Sequence, residues 1–400
     1  MIKVLIVGAG IAGPTLAYWL QRAGCEPTLV ERSPEPRRGG YIVDFWGAGF
    51  DVADRMGIAA EVIRRGYHMR EVRQVGDDGH RITAFDPELF VRSTSGRYVS
   101  IPRSELAATI YEALGGRVET IFGDSVRALD DDGARVRVTF ESGTVRDFDL
   151  VVGADGLHSQ VRRLVFGSDA QFEKYLGITV AAFDLPGYRP RSELGPVMYT
   201  NVGYQVTRLS LHDDVTMFLF TVADDGSIAA HDAEAQQAAL RERLAGAGWE
   251  TPSILERMGD AQTFYCDRVS QIQMPSWTRG RVALLGDAAA CVSLLAGQGS
   301  ALAMVEAYVL AADLARAHGD HVQAFAHYEQ LLMPFLRSKQ KAAIRLAPAF
   351  APRNRTQLFV RNSVMKLFNL PFVAKLAMGN SLRDAIELPA PAAPAAAAAA

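Results

Sequence analysis

The chain has 400 residues, 49% of them hydrophobic and 22% charged, the make-up of a globular protein with a sizeable core and two or three domains. Forty-two Lys and Arg against 45 Asp and Glu leave a net charge of −3, so no basic field gathers nucleic acid. Cys25, Cys266 and Cys291 form no CxxC pair, which speaks against a disulfide framework or a cysteine zinc site and fits a reduced, cytoplasmic setting. No uninterrupted apolar run approaches the length of a membrane span. The histidines show no HxxxH spacing and no triad, so neither a metal site nor a catalytic base is assigned.

Residues 3–7 are apolar and β-branched, as in a strand buried on both faces of a parallel sheet. A helical pattern over 11–22 ends at Gly24, and residues 27–30 predict a second strand that ends at Glu31, completing a βαβ unit. Two further strand-to-glycine junctions come much later. Residues 148–152 lead into Gly153-Ala154-Asp155-Gly156, and residues 281–285 lead into Gly286-Asp287, with a helix predicted over 299–318. Three such junctions suggest one sheet assembled from separated segments. Between them, residues 174–273 carry β-rich runs at 176–183, 196–199 and 215–222 around one helix at 233–246, the texture of an inserted mixed sheet to which 72–99 can add strands. Residues 323–388 read as helical, and 389–400 as a low-complexity, disordered tail. The fold class expected is therefore α/β, with a Rossmann-type domain built from discontinuous segments, an inserted mixed β-sheet domain and C-terminal helices.

Gly8-Ala9-Gly10-Ile11-Ala12-Gly13 is a G-x-G-x-x-G that follows a predicted strand, opens a predicted helix and precedes an acidic residue at the next strand end. Gly8 permits the tight turn, Gly10 lets backbone approach a pyrophosphate, and Gly13 lets helix and strand pack closely. The helix N-terminus offers unpaired N–H groups to phosphates. Glu31 can accept bonds from ribose hydroxyls and disfavours a 2′-phosphate, so this site suits FAD or NAD over NADP. Asp287 reads either as an acceptor for a ligand's hydroxyls or as an N-cap.

The three motifs in this order resemble the FAD-dependent class A flavoprotein monooxygenases, the aromatic hydroxylase family that includes para-hydroxybenzoate hydroxylase and the tetracycline-inactivating monooxygenases. The likeness covers about residues 1–345 and is nearest to the tetracycline-inactivating group. It implies FAD contacts at Gly8, Gly10, Ile11, Ala12, Gly13, Glu31 and Arg32. It also implies them at Arg103 in Pro102-Arg103-Ser104-Glu105-Leu106, at Asp155 in the DG motif, at Gly286 and Asp287, and in the loop Gly297-Gln298-Gly299. Arg38 and Asp44, in Arg37-Arg38-Gly39-Gly40-Tyr41-Ile42-Val43-Asp44, would meet a nicotinamide cofactor and the flavin respectively. It implies an FAD-binding domain at 1–71, 100–173 and 274–322, a substrate domain at 72–99 and 174–273, C-terminal helices at 323–388 and a tail at 389–400. The chain departs from the family at Ala290, where a His is usual, and around Ser293 and Leu294, where prolines are usual.

The resemblance implies that NADPH or NADH reduces FAD, that O2 adds to give a flavin C4a-hydroperoxide, and that an aromatic or polycyclic small molecule is hydroxylated or oxygenated, by a monomer or homodimer. Met198, Tyr199, Tyr204, Phe218 and Phe220 lie on predicted sheet strands and are either core or pocket. Trp19, Trp46, Trp249 and Trp277 do not form the W-x-W-x-I-P of flavin-dependent halogenases. A reductase or desaturase of the same fold, and a non-catalytic flavin-binding protein, stay open as alternatives. A carboxylate-bearing substrate would need an inward arginine that the sequence does not place.

Overall fold

The apolar residues of Lys3–Val7, Leu150–Gly153 and Val282–Leu284 are buried on both faces because the three strands lie side by side in the middle of one sheet. In this computed structural model, which describes residues 1–36, 41–193, 195–228, 232–367, 384 and 386–390, that sheet has six strands. Their order is Thr278–Arg279, Val282–Leu284, Leu150–Gly153, Lys3–Val7, Glu26–Glu31, Glu119–Phe122, parallel except for the first pair. The chain leaves Lys3–Val7 toward Glu26–Glu31 on one side and returns much later on the other. The topological switch therefore falls between Lys3–Val7 and Leu150–Gly153, where open α/β sheets form a ligand crevice at their carboxyl ends. The three glycine junctions meet there: the Ala154 N–H donates to the Val7 carbonyl at 2.8 Å and the Leu285 N–H to the Gly153 carbonyl at 2.9 Å.

Helix Gly299–Arg316 is apolar nearly all round, and it is buried nearly all round, between helices Ala12–Arg22 and Ala48–Met56 and the long helix His321–Phe350. A second sheet of seven strands runs Phe264–Ile272, Glu173–Pro186, Val215–Ala223, Tyr204–Ser210, Val197–Asn201, Val72–Val75, Arg81–Phe85. Val72–Val75 and Arg81–Phe85 thus join it across a long sequence gap. Tyr98–Pro102 does not; it pairs with Ile42–Trp46 in a separate ribbon. Alternation sorts the two faces of the seven-stranded sheet. Phe183, Phe218 and Phe220 pack on Leu240, Leu244 and Ile254 of the helical layer, while Val180 and Leu219 face the opposite way.

Three features depart from expectation. Val126–Asp131, Val136–Phe140 and Val145–Phe148 form an antiparallel sheet of their own, which the sequence reading passed over. Helix continues through Arg355–Leu367, but Asp384 and residues 386–388, expected to be helical, are not. Nor is Pro389 part of a free tail: its carbonyl accepts from Arg55 Nη1 at 2.6 Å and from the Tyr308 hydroxyl at 2.7 Å, and Ile386 and Leu388 pack on the main core. Residues 391–400 lie outside the described residues. Among those described, no helix is long and apolar enough to cross a membrane.

Candidate cofactor and substrate site

Two cavities open at the switch point and share Gly10, Arg103, Ala154 and Gly156, so they form one continuous groove. The first, of about 270 Å3, runs from Gly8–Gly10 to Glu31 and Arg32. The Glu31 carboxylate is aimed by the Ala9 and Ser33 N–H groups, each at 2.9 Å, at the strand end. The glycines divide by what surrounds them. A Cβ on Gly13 would overlap the Gly8 carbonyl oxygen, and one on Gly8 would overlap that of Ala154. A Cβ on Gly10 would meet only Arg103 Nη2, at 3.6 Å. Protein packing explains Gly8 and Gly13. The space beside Gly10 is of the kind a pyrophosphate needs. Arg103, first residue of helix Arg103–Glu112, forms no ion pair among the described residues and faces that space.

The second cavity, of about 420 Å3, extends from Ile11 and Ala12 past Asp44 and Asp287 to Val180, Leu219 and Phe350. Gly286 is the N-cap of the short helix Asp287–Ala290 and Asp287 its first residue, so the N-cap position falls one residue before Asp287; burial pushes the pKa of the nearby Cys291 thiol, which donates to the Ser270 carbonyl at 3.5 Å, well up. Asp44 accepts from the Ser100 hydroxyl at 2.6 Å, and burial raises its pKa too. Ser293, at a φ of 93°, and Gly297, at 65°, turn the loop that carries Gly297 and Gly299 to the cavity wall. A non-glycine residue in that conformation is strained, as functional loops tolerate. Gln298 is turned the other way: its Oε1 accepts from Lys339 Nζ at 2.9 Å, and Lys339 in turn pairs with Asp384 at 2.6 Å. Arg38 lies outside the described residues.

Asp155 borders the first cavity, but its carboxylate caps its own helix, accepting from the Ser159 hydroxyl at 2.5 Å and the Gln160 and Val161 N–H groups at 2.7 and 3.1 Å. Gly286 contributes a turn, at a φ of 63°, and its N–H donates to Glu306 Oε2 at 2.7 Å. Sequence reasoning missed Glu306, which reads as one charge on an apolar helix, and missed Arg162. Arg162 is fully buried and donates to the Leu157 carbonyl at 2.6 Å, the Ala288 carbonyl at 3.0 Å and Asp169 at 2.6 Å, so it ties the second junction to the third. It also missed Tyr41, Tyr265 and Arg268 on the cavity wall. Of the sheet residues it named, Tyr199, Phe218 and Phe220 are core.

Burial raises the Glu306 carboxyl from its usual 4.5 to about 8. The folded chain then keeps this proton where the unfolded chain releases it, so stability falls as pH rises from 4.5 to 8. Glu306→Gln is expected to flatten that slope in urea unfolding of the FAD-free protein; an unaltered slope would show that Glu306 is ionised in the fold.

Comparison with known proteins agrees with this geometry. The FAD binding domain family matches residues 1–328. An uncharacterized protein of Mycobacterium tuberculosis is 39% identical over 88% of this chain and 95% of its own. A flavin-dependent monooxygenase of Legionella longbeachae is 32% identical over 87% of this chain and 90% of its own. The crystal structure of tetracycline destructase Tet(51) superposes with a TM-score of 0.84 at 33% identity, covering 98% of this chain and all of that one. The chain belongs to the FAD binding domain family, as a class A FAD-dependent monooxygenase of the tetracycline-destructase-like group.

Proposed function

We propose that this chain seats FAD along the joined cavities and uses NADH or NADPH and O2 to hydroxylate or oxygenate an aromatic or polycyclic small molecule. The observation that carries the reading is the continuity of the groove from Gly8–Ala12 and Glu31 to the apolar sheet face at Val180 and Leu219. Bound FAD supplies the redox and oxygen-transfer chemistry. The chain's own residues bind and orient. Gly10, Ile11 and Ala12 present the helix N-terminus to the pyrophosphate, with Arg103 as its counter-charge. Glu31 accepts from the ribose, and Arg32 flanks it on the exposed rim. Asp287 accepts from the ribityl hydroxyls, and Gly297 and Gly299 bring a second helix N-terminus to the flavin ring, where a positive dipole end favours the reduced, anionic form. Asp155, Gly286 and Gln298 act from behind, by fixing the turns.

In this reading residues 1–71, 100–173 and 274–322 form the cofactor domain, and 72–99 with 174–273 the substrate domain. Val180, Leu219, Leu294 and Phe350 keep the substrate end dry. The likeness to tetracycline destructase Tet(51) supports a polycyclic substrate. Consumption of NADH and of NADPH is to be followed under O2 with a panel of aromatic and polycyclic phenols, with products analysed by mass. Substrate-stimulated oxidation with a product one oxygen atom heavier supports the reading. Oxidation that no substrate stimulates, or reduction of the substrate, overturns it.

A further inference from the structure

Between Glu329 and Asp384 the chain carries no acidic residue, while Lys and Arg recur through the same stretch. Lys339, mostly buried on the long helix His321–Phe350, finds its counter-ion at Asp384, the first carboxylate after that stretch. The Asp384 side chain is only 4% exposed, and each of its oxygens has a partner. Oδ1 accepts from Lys339 Nζ at 2.6 Å, and Oδ2 accepts from the Ala48 N–H at 2.8 Å. Gly47, which precedes helix Ala48–Met56, has no side chain to cap it, so Asp384 supplies the cap from 336 residues away. A Cβ on Gly47 would overlap Oδ2, so the glycine is what admits the carboxylate.

Both partners lead to the wall of the second cavity. Lys339 donates also to Gln298 Oε1, at 2.9 Å. Among the described residues this is the one bond that the Gln298 side chain makes, since its Nε2 is buried without a partner. Gln298 stands between Gly297 and Gly299, which line the cavity. Ala48 follows Trp46 and Gly47, and Trp46 lines the cavity too, its ring 3.7 Å from where a Cβ on Gly297 would lie. One carboxylate thus pins the two segments that meet there. It is held in turn from the far end of the chain, where Ile386 and Leu388 pack on the main core and Arg55 and Tyr308 grip the Pro389 carbonyl.

We infer that Asp384 is a positioning residue for FAD, the fastening of a C-terminal strap that fixes the flavin end of the groove. This rests on the reading of the second cavity as the flavin seat. Without the Asp384 charge the Lys339 ammonium has no counter-ion in a largely dry place, and it moves toward water, because a buried cation is costly unless paired. Gln298 then loses its tether. The turn at Gly297 and the first N–H groups of helix Gly299–Arg316 lose their fixed place with it. FAD has to order that loop as it binds, and the cost is read as weaker affinity.

The test titrates FAD into the FAD-free protein and follows the change in flavin fluorescence. Two single variants are compared with the unaltered chain. Asp384→Asn keeps an oxygen that can accept from Ala48, and Lys339→Met leaves Asp384 bonded to Ala48. Each is expected to raise the FAD dissociation constant about tenfold. The double variant is expected to show about the same tenfold loss, because both residues act on one tether; independent contributions would multiply to about a hundredfold. Urea unfolding of the FAD-free proteins is measured beside it. A carboxylate that only braces helix Ala48–Met56 would lower the unfolding midpoint and leave FAD affinity alone. If Asp384→Asn does not fold, Lys339→Met carries the test, since Lys339 bonds to Gln298 and Asp384 and not to that helix. An unchanged dissociation constant in either variant, or a double variant that multiplies the two losses, overturns the inference. A chain that takes up no FAD contradicts the reading of the groove and the inference with it. One that binds FAD while its variants bind it equally well contradicts the role of Asp384 alone.

Discussion

Gly10→Val is expected to fold and to lose its flavin, whereas Gly13→Ala is expected to lose stability before anything else. The difference follows from what each missing side chain would touch. At Gly10 the only protein atom near a Cβ is the far end of the Arg103 side chain, 3.6 Å away and able to move. A branched side chain there fills the space read as the pyrophosphate seat, so the polypeptide tolerates it and the cofactor does not. At Gly13 even a methyl group overlaps the carbonyl oxygen of Gly8, and that backbone cannot yield without opening the first turn of the nucleotide site. Overpacking of this kind typically costs about 1–3 kcal/mol. The comparison has to be made on FAD-free proteins, because bound FAD itself stabilises whichever variant retains it. Unfolding midpoints then separate the two. Flavin absorbance after purification completes the test: Gly10→Val that keeps a full complement of FAD would contradict the assignment of its neighbourhood to the pyrophosphate.

Arg162→Leu is expected to be the most destabilising single change outside the glycine turns, by about 3 kcal/mol or more. The guanidinium is fully buried and satisfies two backbone carbonyls, those of Leu157 and Ala288, as well as Asp169. Its loss leaves both carbonyls without a donor in a dry interior, while the hydrophobic replacement recovers only packing. Because Leu157 follows the second junction and Ala288 follows Asp287, the same change should loosen FAD binding. Asp169→Asn should matter less, because both carbonyls keep their donor and the amide oxygen can still accept from Arg162, although the buried guanidinium loses its counter-charge. Asp169 is about a quarter exposed and shares its charge with Arg163. Equal effects from the two substitutions would show that the ion pair, and not the pair of carbonyls, is what Arg162 supplies.

Much of the cofactor half of the molecule was legible because its signals are local. A buried β-branched strand that runs into a glycine turn and then a helix is written in consecutive residues, and three such stretches of similar character belong in one sheet. Roles that depend on distant partners were not legible. Arg162 looks like any arginine on a short amphipathic helix until Ala288, 126 residues later, is brought beside it. Glu306 looks like a solvated charge until Gly286 donates to it. The strand Val215–Ala223 is apolar on both faces, so its pattern shows burial without showing which face meets the helices and which the cavity. For that reason the sequence reading offered Phe218 and Phe220 for core or pocket and passed over Leu219, which lies between them and lines the cavity. The carboxylate of Asp155 was placed with the cofactor because its motif predicts its neighbourhood but not its rotamer. Pro389 was misread for a compositional reason. Alanine- and proline-rich sequence carries no packing signal of its own, yet Pro389 needs only a carbonyl to be held by Arg55 and Tyr308.

The measurement that bears most directly on the account is the visible absorption spectrum of the purified protein, with any bound cofactor released, identified and counted against polypeptide. The groove from Glu31 to Gly299 predicts a yellow protein that carries FAD in a one-to-one ratio, or takes it up to that ratio when FAD is added. A colourless protein that gains no flavin band on titration with FAD would contradict it.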